Sequence, residues 1–122
     1  MSSSTIIKKI AFIGGGQMAE AMIGGLLAGQ VCSADVIWAT DPVPERRDRL
    51  QGQFGIRVGS ANPEAVAWAD VVILAVKPQA LSAVLRELGS ILAHALVISI
   101  VAGVKIPTIA EQISGGGRVV RA

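Results

Sequence analysis

The chain has one cysteine, Cys32, one histidine, His94, and no tyrosine in 122 residues. A lone thiol cannot close an internal disulfide or build a cysteine metal cluster, so Cys32 reads as a structural thiol near a helix end. A single histidine excludes most zinc sites and any Ser-His-Asp arrangement built around another histidine. His94 lies in a polar-flanked segment between a helix and a strand, where a surface or loop-capping role is expected. No metal is expected. Aromatic residues make up only 3% of the chain, the formal charge is +2, and the basic residues are scattered. Nucleic-acid surfaces need clustered cations and stacking rings, which argues against that partner. Although 52% of residues are hydrophobic, no unbroken apolar run approaches the length of a membrane span. The polar opening Met1–Thr5 lacks the cationic and apolar regions of a signal peptide, so a cytoplasmic location is expected.

What the chain does have is glycine, 14 residues of it, and one cluster is informative. The apolar strand Ile10–Ile13 runs into Gly14, Gly15, Gly16, Gln17, Met18 and Ala19. Gly14, Gly16 and Ala19 have the spacing G-x-G-x-x-A. In such a pattern the first glycine permits a tight strand-to-helix turn, and the second leaves bare backbone for a pyrophosphate. The third, small residue lets the helix pack closely on the strand. The helix then offers unpaired N–H groups and the positive end of its dipole to the anion. Chance matches are common in a glycine-rich chain, and the alternative is a turn used only for packing. A preceding strand, a helix-forming stretch to about Ala28 and a second strand with an acidic end favour dinucleotide binding.

The remaining segments alternate regularly. Met18, Met22 and Leu26, with Ala19, Ile23 and Leu27, fall at helical spacings. Val36–Ala39 is a predicted strand, and Pro42–Phe54 a helix whose charged face surrounds Leu50 and Phe54. Ile56–Val58 follows as a short strand. Asn62 then reads as a helix cap, with Pro63 at the first helical position and an end near Trp68. Val71–Val76 is a continuous apolar run, as a central parallel strand covered on both faces requires. Pro78–Leu88 is predicted helical, Leu96–Val101 a strand, Pro107–Ile113 a helix and Arg118–Arg121 a sixth strand. The rhythm predicts an α/β fold: a Rossmann-type, doubly wound parallel sheet in a three-layer αβα sandwich. Residues 1–122 fit one such domain. The ending, in or just after a strand, reads as the first part of a longer polypeptide.

In this fold, ligands sit beyond the carboxyl ends of the strands. Asp41 follows the second strand, where an acid commonly accepts hydrogen bonds from the adenosine ribose and favours NAD. Arg46 and Arg47 lie within about a helical turn, and either can reach a 2′-phosphate or simply face solvent. The choice between NAD and NADP therefore stays open. Lys77, leaving the central strand before Pro78, is either a group beside the coenzyme ribose or an ordinary loop lysine. The small residues of Ser99–Gly103 allow backbone approach to a flat ring or form a packing turn. No proton donor or substrate carboxylate clamp is evident, so no catalytic residue is assigned. The coenzyme itself carries hydride chemistry.

The segments Phe12–Ala19, Ala75–Pro78, Ser99–Val104 and Arg118–Ala122 resemble pyrroline-5-carboxylate reductase, in order and over nearly the whole chain. The resemblance implies reduction of an imine, 1-pyrroline-5-carboxylate, to L-proline by hydride from a reduced nicotinamide dinucleotide. The usual coenzyme is NADPH, and NAD stays possible here. It implies that Ile13, Gly14, Gly15, Gly16, Gln17 and Met18 wrap the pyrophosphate. Asp41, with Arg46 nearby, would lie at the adenosine ribose and Asn62 at the adenine side. Ala75, Val76, Lys77 and Pro78 would flank the ribose and nicotinamide, and Ile100, Val101 and Ala102 would run along the nicotinamide. A helical C-terminal domain, which in the family builds the dimer and completes the substrate pocket, would lie beyond Ala122. The full-length protein is then expected to be a homo-oligomer, and this chain alone to bind coenzyme without turnover. Family members often carry a small hydroxyl residue or a basic neighbourhood where this chain has Asp41, which leaves the usual NADP preference open. The rival readings are the coenzyme domain of a 3-hydroxyacid dehydrogenase-type enzyme and a noncatalytic dinucleotide sensor.

Overall fold

Side-chain alternation along four short strands builds two separate cores, one on each face of a sheet. The computed structural model describes residues 8–101 and, for the backbone, 118–121. Its strands are β1 (Ile10–Ile13), β2 (Ile37–Thr40), β3 (Arg57–Gly59), β4 (Val71–Leu74), β5 (Leu96–Ser99) and β6 (Arg118–Arg121). Between them lie α1 (Gln17–Ala28), α2 (Pro44–Phe54), α3 (Asn62–Trp68) and α4 (Pro78–Leu88). The six strands pair in the order β3-β2-β1-β4-β5-β6, all parallel. On β1, Ala11 and Ile13 point into a core with Val72, Leu74 and Val97, closed by Ala65 and Val66 of α3 and Leu81, Leu85 and Leu88 of α4. Phe12 points the other way, into a core with Ile37, Ala39 and Ile73, closed by Ala19 and Ile23 of α1 and Leu50 of α2. A period of two, read against helices on both sides, gives the expected doubly wound three-layer sandwich.

The β3-to-β4 connection returns the chain to the middle of the sheet. There β1 is flanked by β2 and β4, with Ile13 in register with Thr40 on one side and Leu74 on the other. Strand order reverses at this point, and a crevice opens above the strand ends there.

Several boundaries differ from the sequence reading for local reasons. Val36 belongs to a 3-10 turn, Ala34–Val36, and the strand continues through Thr40. The second helix starts at Pro44, because Asp41 Oδ1 accepts the Val43 N–H at 2.8 Å and holds the preceding residues in a turn. Asn62 does not cap α3. Ala61 occupies the cap position, and the Asn62 carboxamide instead accepts the Thr40 hydroxyl at 2.5 Å. β4 stops at Leu74, with Ala75 and Val76 leaving the ladder to pass beside the glycine turn. β5 stops at Ser99, whose hydroxyl accepts the Val101 N–H at 3.2 Å. Met18 is 60% exposed and takes no part in the core that Ala19 and Ile23 enter.

His94 has the loop-bracing place its flanks suggest. Its Nδ1 lies 2.6 Å from the Ile91 carbonyl and its Nε2 3.0 Å from the Ala69 carbonyl. The β3 edge is held by a stack in which Arg57 lies 3.5 Å over the Trp38 ring. Trp38 in turn meets Trp68 edge-on at 5.6 Å. The helix expected over Pro107–Ile113 lies outside the described residues. Among the described residues no helix is long and apolar enough to cross a membrane.

Leu85 is 1% exposed at the centre of the α4 interface, whereas Ser82 lies on the outer face of the same helix. Leu85→Ala is expected to cost about 2–5 kcal/mol of unfolding free energy, and Ser82→Ala less than about 0.5 kcal/mol. Urea denaturation of the two variants checks both values.

Candidate functional site

The three glycines after β1 serve three different physical ends. Gly14 has φ +106°, in the region that side chains avoid, and a Cβ there would sit 2.6 Å from the Ala75 carbonyl oxygen. Its N–H donates to the Thr40 carbonyl at 2.9 Å, joining the turn to β2. At Gly15 a Cβ would come within 3.0 Å of Leu50 Cδ1 and 3.3 Å of Asp41 Cβ. Gly16 differs from both. Its φ of −81° suits any residue, and a Cβ there would meet no protein atom within 4 Å.

Gly16 is also the N-cap of α1, and the helix has no side-chain cap. A helix start leaves its first N–H groups without intrahelical acceptors, and among the described residues no side chain supplies one. The open space in front of Gly16 therefore faces unsatisfied donors and the positive end of a helix dipole.

These groups form one wall of a crevice of about 470 Å³. Of the sequence-selected residues, the structure gathers Ile13, Gly14, Gly15 and Gly16 from the turn and Asp41 and Arg46 from the β2–α2 side. Asn62 and the segment Ala75, Val76 and Lys77 complete it. Gln17 and Met18 are exposed in the first turn of α1 and do not line the crevice. Pro78 starts α4 without lining the crevice. Ile100 is half-buried on the α1–α2 side and Val101 is buried on the α3–α4 side, next to the end of β4 but not lining the crevice itself. Ala102 lies outside the described residues.

Other lining residues were given no role by the sequence. Thr40, Pro42 and Val43 flank Asp41, and Ala80 and Val84 sit one turn apart on the inner face of α4. The spacing of Ala80 and Val84 was available as a signal, but it looks the same as core packing. Thr40 gave no signal, since its role depends on a partner 22 residues away. It is 1% exposed, and its hydroxyl donates to Asn62 Oδ1. Asn62 Nδ2 then donates to Glu87 Oε1 at 3.2 Å, so the carboxamide on the crevice wall is held from both sides.

The arginines of α2 divide by partner. Arg49 pairs with Glu20 of α1 through two contacts, at 2.7 and 3.1 Å. The Arg49 hydrogen bond holds the Glu20 carboxyl below the usual carboxylate range. Arg47 donates to the Asp41 carbonyl at 2.8 Å. Arg46 lines the crevice, and its side chain makes no hydrogen bond or ion pair among the described residues. Of the two candidates for a 2′-phosphate, Arg46 is the one so placed.

A parallel sheet carrying a glycine turn at its switch point, with an uncapped helix start beside it, defines a dinucleotide-binding α/β domain of the Rossmann type. The chain belongs to the family described as NADP oxidoreductase coenzyme F420-dependent, whose model matches residues 9–103. It is 50% identical over 97 residues to the pyrroline-5-carboxylate reductase of Pseudomonas aeruginosa, covering 79% of this chain and 35% of that protein. With the pyrroline-5-carboxylate reductase of Escherichia coli it shares 40% identity over 117 residues, covering 94% of this chain and 43% of that one. Among solved structures, a pyrroline-5-carboxylate reductase from Coxiella burnetii superposes with a TM-score of 0.87 at 35% identity. That match covers 93% of this chain and 43% of the other. The chain thus spans about two fifths of the length of such relatives.

Gly14→Ala is expected to destabilise the domain by more than about 1 kcal/mol, because both its φ and its contact with Ala75 forbid a side chain. Gly16→Ala should cost less than about 1 kcal/mol, since the fold itself leaves that space open. Thermal unfolding of the two variants side by side tests the distinction.

Proposed function

We propose that this chain is the coenzyme-binding domain of a pyrroline-5-carboxylate reductase, holding a nicotinamide dinucleotide for reduction of 1-pyrroline-5-carboxylate to L-proline. The observation that carries the reading is Gly16. The protein has no steric or conformational need for glycine there, yet the residue faces open space at an uncapped helix start. A diphosphate supplies the missing reason: it fits the space, accepts the N–H groups and takes the favourable end of the dipole.

In this pose Ile13 to Met18 surround the diphosphate, the side chains of Gln17 and Met18 standing clear of it. Asp41 and Arg46 lie at the adenosine ribose, where the Arg46 guanidinium suits the 2′-phosphate of NADP. Asn62 lies towards the adenine, Ala75 to Pro78 pass the ribose and nicotinamide, and Ile100 to Ala102 run along the nicotinamide. When bound, the coenzyme supplies the hydride, and the chain's share of the chemistry is to position it. The substrate pocket and the contacts of a homo-oligomer are assigned to a further, helical domain, in keeping with the greater length of the similar reductases. A cytoplasmic location is part of the same proposal.

Titration with NADPH, followed by its fluorescence, tests the pose. The unaltered chain should bind, and Gly16→Val should lose about two orders of magnitude in affinity. A displaced diphosphate gives up charge-assisted hydrogen bonds of about 1.5–3 kcal/mol each. Circular dichroism should show the variant folded. Unchanged affinity in folded Gly16→Val would refute the pose. Oxidation of NADPH by 1-pyrroline-5-carboxylate with this chain alone would refute the assignment of the substrate site to another domain.

A further inference from the structure

An acid after the second strand is conventionally read as a ribose acceptor that turns away a 2′-phosphate. In this chain every polar group of Asp41 already has a protein partner. Its N–H donates to the Gly59 carbonyl at 3.0 Å, and its carbonyl accepts Arg47 Nη1 at 2.8 Å. Its Oδ1 accepts the Val43 N–H at 2.8 Å, and its Oδ2 accepts the Gly15 N–H at 2.8 Å. The last of these bonds spans 26 residues and ties the middle of the glycine turn to the end of β2.

Resting on the coenzyme reading above, we propose that Asp41 is a positioning residue that latches the glycine turn, and that it does not select between NADH and NADPH. Three features favour the latch. Both main-chain donors approach the carboxylate at distances normal for charge-assisted bonds, which are stronger than neutral ones. Gly15 is squeezed between Leu50 Cδ1 and Asp41, with an added Cβ only 3.5 Å from Oδ2, so the turn and the carboxylate are shaped to each other. The backbone of Asp41 is itself anchored to β3 and α2, making it a fixed post. Fixing the Gly15 peptide also fixes the direction of the donors that follow at Gly16 and beyond, on which a diphosphate depends. Arg46 lines the same crevice, so the ribose end does not present an unopposed negative charge.

The experiment uses this chain with Asp41→Ser, which removes the carboxylate, and Asp41→Asn, which keeps its shape and one acceptor oxygen. Amide exchange at Gly15, read by NMR without coenzyme, should be about tenfold faster in the serine variant. The asparagine variant should fall in between. With coenzyme, the serine variant should weaken NADPH and NADH together by about tenfold, leaving the ratio of their Kd values within about threefold. If Asp41→Ser does not fold, Asp41→Asn carries both measurements, with a smaller common loss expected. The proposal is overturned by unchanged Gly15 exchange, by undiminished affinity for both coenzymes, or by a shift of about tenfold or more towards NADPH. A chain that binds neither coenzyme defeats the coenzyme reading, while Gly15 exchange still decides the latch.

Discussion

The hydrogen atom that stands in place of a side chain at Gly14 lies where three strands converge. A Cβ at that point would approach the Ala75 carbonyl oxygen to 2.6 Å, and the backbone there is left-handed. Only glycine lets β1 end, turn and start α1 while the chain leaving β4 passes alongside. The Gly14 N–H on the Thr40 carbonyl and the Gly15 N–H on Asp41 Oδ2 draw β2 into the same knot. The ends of β1, β2 and β4 are therefore mutually positioned by one turn, and the crevice above them takes its shape from it.

The sheet makes that turn possible by burying both of its faces. Phe12 and Ile13, adjacent in sequence, enter opposite cores and are each at most 1% exposed. Helices on both sides leave only the strand ends open to a ligand. At the open end the polar groups divide between shaping and waiting. Thr40 and Glu87 hold the Asn62 carboxamide, Arg47 holds the Asp41 carbonyl and Arg49 holds Glu20. Among the described residues the first-turn amides of α1 have no side-chain cap, and the Arg46 side chain makes no hydrogen bond or ion pair. A site for a phosphorylated ligand needs such a remainder, because a donor satisfied within the protein gains little from an anion.

Much of this was legible along the chain. The two periodicities, the glycine spacing and the prolines near helix starts led to the α/β sandwich and placed the binding end, since these signals are local and carry their own steric reasons. Boundaries were less legible where a distant group intervened. Asn62 looked like a cap, as asparagine before proline commonly is, but a Thr40 hydroxyl across the sheet claimed its carboxamide. The apolar run to Val76 looked like strand throughout, yet its last two residues leave the ladder beside Gly14. Met18 had helical spacing with core residues and still lies outside, because the inward side of the first turn of α1 is taken by its neighbour Ala19.

Sequence by itself determined the class of fold and the kind of ligand, because strand alternation, helix periodicity and a side-chain-free turn are properties of neighbouring residues. Tertiary structure alone decided what the individual polar groups do. Whether Asp41 faces a ribose or a main-chain amide, and which of two adjacent arginines meets the crevice, depends on how β2, α2 and the glycine turn lie against one another. Hydrogen bonds act over about 3 Å, and the partners that settle these roles are brought within that range only when the sheet assembles.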